Sequence, residues 1–213
     1  MTRAAHLPPA AAHPGRVELR RMRWWDIPGV ILLEHAAFPE DAWSVGMFWS
    51  ELAESATRYY LVAEEYEPTD EDEPRLIGYA GLLAGVGEAE VLTIAVDPGR
   101  EGRGLGAVLL TELMREAARR DCDDVVLEVR VDNERAQQLY RRFGFEGVGI
   151  RKGYYQPMNI DALVMRSGRV IERFGDKGRD EDHLRGVGDE DGDRVGDLSM
   201  GMSSVKSVDW VRE

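Results

Sequence analysis

The stretch IAVDPGREGRGLGAVLLTELM, Ile94–Met114, places glycines at 102, 104 and 106 between a strand-like run, EAEVLTIAV (Glu88–Val96), and an apolar-periodic run with Leu105, Val108, Leu109 and Leu113 on one helical face. Glycine adopts positive φ freely and lets another molecule approach the backbone closely. A helix start carries N–H groups without partners and the positive end of the helix dipole. Glycines between a strand and a helix therefore read as a phosphate cradle. The alternative is a tight turn whose glycines only permit close helix–strand packing. Gly102, Gly104 and Ala107 also satisfy the dinucleotide fingerprint, but Asp97–Glu101 intervenes between strand and glycines, and no second βαβ half follows.

Working outward, Val17–Met22 reads as a strand. WDIPGVILLEHAAF has helical spacing through Ile27, Ile31, Leu32 and His35. SVGMFWSELAES opens a second helix at Ser44, a good N-cap. Tyr59–Glu65 and Arg75–Leu83 read as strands joined by the acidic, proline-bounded YEPTDEDEP. Beyond the glycine helix come a strand, DVVLEVRV, and a short helix, NERAQQLYRRFG, capped by Asn133 and closed by Gly144. Two last strands, FEGVGIRKGYY and DALVMR, complete a mixed α/β sheet covered by helices. Residues 1–16 are Ala/Pro-rich and expected to be disordered, residues 17–167 form one domain, and residues 168–213 form an acidic, Gly-rich tail expected to be disordered.

A net charge of −13 argues against binding nucleic acid or an anionic membrane directly, since both want a basic face. It leaves a basic protein substrate open. Cys122 is the single cysteine, so no internal disulfide forms; it reads as a small core residue in a reducing compartment. No run approaches the ~20 apolar residues that span a bilayer, and MTRAAHLPPAAAHPG lacks a signal-peptide core, so the expectation is cytoplasmic. The histidines and the cysteine show no metal-ligand spacing, so no metal is expected.

IAVDPGREGRGLGAVLLTELM resembles the acetyl-CoA motif of the Gcn5-related N-acetyltransferases, the GNAT superfamily. LEVRVDNERAQQLYRRFGFEGVGIRKGYY resembles the RimI-type ribosomal-protein-alanine N-acetyltransferases, and the likeness runs from about Val17 to Met165. It implies the GNAT fold: a mostly antiparallel sheet of six to seven strands with about four helices, whose central strand pair splays apart around acetyl-CoA, the co-substrate. By that resemblance the backbone of Ile94, Ala95 and Val96 pairs with the pantetheine arm, and Gly102, Arg103, Gly104, Leu105, Gly106 and Ala107 wrap the pyrophosphate. Asn133 touches the cofactor from the far side, in addition to capping its helix. The family carries Gln or Arg where this chain has Glu101, which is flanked by Arg100 and Arg103.

The resemblance further implies that Glu128 is the general base, acting through water, and Tyr140 the general acid. Packing alternatives exist for both: Glu128 could pair with Arg130, and Tyr140 could be core. An α-amine has a pKa of ~7.7–8.0, so a modest base suffices for direct attack on the thioester, with no covalent enzyme intermediate. FPEDAWS (Phe38–Ser44) matches a segment bordering the peptide cleft, where the family has the shorter FPWS; Glu40–Ala42 is the insertion. Phe38, Trp43, Tyr154 and Tyr155 are the candidate acceptor contacts, with plain packing the alternative for Phe38, Trp43 and Phe48. The implied partner is the N-terminus of a ribosomal protein. Lysine side chains, other protein N-termini, a small amine, or a non-catalytic acyl-CoA-binding role are the alternatives. A monomer is the default expectation.

Overall fold

The computed structural model describes residues 16–66 and 74–175. Nearly all of the expected disordered lead-in, most of the acidic loop and residues 176–213 lie outside the described residues. The chain runs β1 (Arg16–Arg21), α1 (Ile27–Ala37), α2 (Val45–Ala53), β2 (Arg58–Tyr66), β3 (Arg75–Ala84), β4 (Glu88–Val96), α3 (Leu105–Arg119), β5 (Asp124–Arg130), α4 (Glu134–Arg142), β6 (Glu146–Tyr155), β7 (Ile160–Ser167) and α5 (Val170–Phe174). Short 3-10 turns stand at Trp24–Asp26 and Pro98–Arg100.

The strands form one seven-stranded sheet in the order β1-β2-β3-β4-β5-β7-β6. Every neighbouring pair is antiparallel except β4 and β5. That parallel pair holds for only three residues, from Glu88 opposite Asp124 to Glu90 opposite Val126. Beyond it, β4 stays on β3 and β5 stays on β7, so the two strands part company. A bulge helps: Gly81 faces Thr93 and Leu82 faces Val91, leaving Leu92 as the extra residue. A bulge bends its strand and increases its twist, here at the point where the parallel ladder ends. The splayed central pair of the GNAT fold is thus present.

One face of the sheet carries α3, α5 and the Tyr140 side of α4 over the larger core cluster; α1 and α2 cover the other. In α3 the buried stripe is Leu105, Leu109 and Leu113 with Leu110, Met114 and Ala117. Val108, expected on this face, points to solvent on the other side of Leu105. In α1 the buried residues are Ile27, Val30, Leu33 and Glu34, not the expected set through Leu32 and His35; Leu32 is 73% exposed. This segment is apolar almost all round, so periodicity does not choose a face, and a carboxylate occupies a core position. The ordered domain also runs past Ser167, where the tail was expected to begin. Val170 is fully buried, the Phe174 ring stacks on Phe143 at 6.3 Å, and the Ile171 N–H donates to Asp123 Oδ1 at 3.2 Å. Cys122 is buried, as a core residue should be.

Candidate active site

The end of β4 runs into a turn built by Asp97. Its carboxylate accepts the Gly99 N–H at 2.8 Å and an Arg75 N–H at 2.6 Å. Gly102 and Gly104 then take φ of 76° and 85°, with Gly104 as N-cap of α3. Nothing lies within 4 Å of where a Cβ would stand at either position, so positive φ, and not crowding, selects glycine there. The first turn of α3 opens onto a cleft of about 500 Å³ whose wall includes Ile94, Val96, Gly102, Gly104, Gly106 and Ala107. Ala136, Leu139 and Tyr140 of α4 form the opposite side. Gly106 faces Leu139, whose Cδ2 would sit 3.5 Å from an added Cβ.

The predicted cofactor residues divide accordingly. Ile94, Val96, Gly102, Gly104, Leu105, Gly106, Ala107 and Asn133 line this cleft. Ala95 alternates to the opposite face and is buried in the α1/α2 cluster, so only its backbone belongs to the β4 edge. The Arg103 side chain is exposed and forms none of the wall. Glu101 is ion-paired to Arg135 of α4 at 2.5 Å, and Arg100 to Glu65 of β2 at 2.5 Å. With Arg142 also on the wall, three cations accompany one carboxylate among the described residues. The acid that departs from the family pattern is therefore neutralised from α4. Open glycine backbone, a helix start and an arginine rim suit a diphosphate.

A second cleft of about 310 Å³ adjoins the first. It is lined by Ala37–Asp41, Arg130, Asp132, Asn133 and Tyr155. Ala37 and Asn133 line both clefts, so the two share a wall. Asn133 also caps α4, its Oδ1 accepting the Ala136 N–H at 3.1 Å. Gln137 steadies this corner by donating to the Arg130 and Val131 carbonyls at 3.0 and 3.1 Å. The Arg130 fork holds Asp132 at 2.9 and 2.8 Å. That hydrogen bonding keeps the Asp132 carboxyl below the usual carboxylate range. It also pushes Arg130 upward, with Glu40 and Asp41 adding to the effect.

Glu128 is 4% exposed and lines neither cleft. Val125, Leu127 and Val129 face the large cluster, so Glu128 shares the other face of β5 with Arg130. Its Oε1 meets Arg151 of β6 at 2.9 Å, not Arg130, which compensates a charge that burial alone would penalise. The Tyr155 hydroxyl donates to the Glu128 main-chain carbonyl at 3.2 Å, which places Glu128 behind the wall of the second cleft. Tyr140 is 1% exposed, packs against Phe145 at 5.8 Å and contributes to the cofactor-cleft wall, so it is both a core and a site residue. Phe38 and Tyr155 line the second cleft. Trp43 does not: it is 2% exposed and packs on Phe48 at 5.3 Å, the packing alternative. Tyr154 stands edge-on to Tyr155 at 5.1 Å, with Arg151 over its ring, and is outside both walls.

Sequence reasoning missed Ala136 and Leu139, although their spacing with Tyr140 marks one face of α4. It also missed Arg130, Asp132 and Arg135, which local pattern does not single out.

A parted parallel strand pair, a glycine-lined anion cleft on one side and an acidic cleft sharing its wall define an enzyme that transfers an acyl group from coenzyme A. The chain matches the acetyltransferase (GNAT) family over residues 21–145, more than half its length, and belongs to that family. It is an acetyl-CoA-dependent N-acetyltransferase of the RimI type. It is 42% identical over 132 residues to N-alpha-acetyltransferase RimI of Mycobacterium tuberculosis, covering 60% of this chain and 76% of that one. It is 33% identical over 144 residues to the ribosomal protein bS18-alanine N-acetyltransferase of Salmonella typhimurium, covering 66% and 89%. The crystal structure of the ribosomal-protein-S18-alanine N-acetyltransferase from Escherichia coli superposes with a TM-score of 0.62 at 27% identity, over 72% of this chain and 94% of that one. Among the described residues no helix is long and apolar enough to cross a membrane.

Proposed function

We propose that this enzyme acetylates the α-amine of the N-terminal alanine of ribosomal protein bS18, a cytoplasmic reaction. The shared wall of the two clefts supports this reading: with Ala37 and Asn133 on both, a thioester bound on the Ile94–Ala107 side would lie beside an amine bound on the Phe38–Asp41 side. The Salmonella and Escherichia coli relatives, named for that substrate, support the choice of acceptor.

Acetyl-CoA supplies the activated acetyl group. The Gly102–Ala107 backbone holds its diphosphate, and the free β4 edge at Ile94–Val96 pairs with the pantetheine arm. Glu128, acting through water from behind Tyr155, takes the proton of the incoming ammonium. The neutral nitrogen attacks the thioester carbonyl, the C–N bond forms as the C–S bond breaks, and Tyr140 donates its proton to the departing thiolate. The phenolate is reprotonated from solvent, which receives both the proton that Glu128 removed and the second proton that the acylated nitrogen sheds, so one proton is released per turnover. Only proton transfer and orientation are required of the protein.

The test is a panel of peptides with purified enzyme and acetyl-CoA, following free thiol and the mass of each peptide. Acetylation at the N-terminus of an alanine-initiated bS18 peptide is expected. Acetylation of internal lysines alone, or of small amines alone, would overturn the acceptor.

A further inference from the structure

One wall of the acceptor cleft is the segment joining α1 to α2, Phe38–Ser44, and both ends of that segment are tied to one residue. The Glu34 main-chain carbonyl accepts the Phe38 N–H at 2.8 Å. The Glu34 Oε1 accepts the Trp43 N–H at 2.6 Å, and its Oε2 accepts the Tyr79 hydroxyl from β3. Glu34 is 0% exposed. A fully buried carboxylate is costly unless its oxygens are hydrogen-bonded, and these bonds go to a peptide N–H of the segment and to the sheet. The contacts close on themselves: Trp43 packs on Phe48 at 5.3 Å, and Phe48 meets Tyr79 edge-on at 5.7 Å. Between the anchored ends stand Pro39, Glu40 and Asp41, on the cleft wall.

We infer that Glu34 is the positioning residue of the acceptor site: by clamping Phe38 and Trp43 together it fixes where Phe38, Glu40 and Asp41 meet the peptide. An apolar residue of similar size would fill the same space. It would leave the Trp43 N–H buried with no acceptor, which a segment can relieve only by moving. The inference rests on the assignment of this cleft to the acceptor, and it adds the residue on which the shape of the cleft depends.

The experiment pairs amide hydrogen exchange with kinetics on the full chain. In the wild type the Trp43 amide should exchange slowly, as should the hydrogen-bonded Phe38 amide, while the Glu40 amide should exchange fast. Glu34→Gln keeps an oxygen for Trp43 and an N–H₂ for the Tyr79 oxygen, so the peptide KM should stay near the wild-type value. Glu34→Met should raise the peptide KM roughly tenfold or more, the equivalent of one lost hydrogen bond to a charged group. It should also speed Trp43 exchange while leaving the acetyl-CoA KM and the α3 amides unchanged. A wild-type Trp43 amide that exchanges as fast as Glu40 overturns the clamp. So does a Glu34→Met enzyme with fast Trp43 exchange and an unchanged peptide KM. If Glu34→Met fails to fold, the wild-type exchange pattern decides. If no peptide is acetylated by the wild type, the acceptor assignment fails by itself, and Trp43 exchange still tests the clamp.

Discussion

The two clefts of this enzyme share a wall and are made in opposite ways. The cofactor cleft takes most of its wall from one continuous segment, Ile94–Ala107, and uses mainly backbone, glycine φ and a helix start. The acceptor cleft takes side chains from three remote places: the end of α1 with Phe38–Asp41, the β5–α4 corner, and Tyr155 at the end of β6. Their charges are opposed as well. Arg100, Arg135 and Arg142 outnumber Glu101 on the first; Glu40, Asp41 and Asp132 outnumber Arg130 on the second. Under the proposed assignment an anionic co-substrate and a cationic amine would meet complementary fields from the two sides. A site for an invariant ligand is built from local chain geometry, and a site that discriminates among acceptors is built from side chains placed by the tertiary fold.

Several substitutions would break or sharpen this contrast. Tyr140→Phe and Glu128→Gln remove the proposed acid and base, and each should lower kcat by about 10²–10⁴ with little change in either KM, read by thiol release. Full rate in both would remove the assigned acid and base. Gly104→Val forces a β-branched residue to φ of 85° and should weaken acetyl-CoA by roughly tenfold while sparing the peptide KM, measured by calorimetry and steady-state kinetics. The reverse split is expected of Glu40→Lys combined with Asp41→Lys. The KM for a basic peptide should rise severalfold, an effect that fades as salt screens the cleft, and the acetyl-CoA KM should stay put.

Val170→Ala touches neither cleft. It should cost about 2 kcal/mol, seen as a melting shift of several degrees with both KM values intact. Asp132→Asn gives the smallest effect, because the pair is half exposed. Its folded pKa is depressed by Arg130, so its stabilising contribution is present above the unfolded value of ~3.9 and disappears as pH falls through the lower folded value. Wild-type and variant melting curves should therefore converge once the pH falls below the depressed folded value and differ slightly at neutral pH.

Much of this molecule is written in short-range pattern. The strand–glycine–helix junction, the Asn133 cap and the order of strands are each carried by a few adjacent residues, and each stands where pattern places it. α1 is different: an all-round apolar helix hides which face is buried, so Leu32 stands in solvent and Glu34 in the core. FPEDAWS sits at the cleft, yet the Trp43 ring packs inward on Phe48, a partner on the next helix that the local pattern does not reveal. The pairing of Glu128 with Arg151 depends on β6 folding back beyond β7, a contact across 23 residues that no local spacing reveals.

By itself the sequence determined where the chain can bend, where helices begin and which backbone is bare enough to receive a diphosphate, because these depend on the φ range and hydrogen-bonding capacity of neighbouring residues. Only the tertiary structure decided which carboxylates are buried and paired, which aromatics face the acceptor and where β4 leaves β5. Those outcomes are set by competition among distant groups for the same space and the same hydrogen bonds.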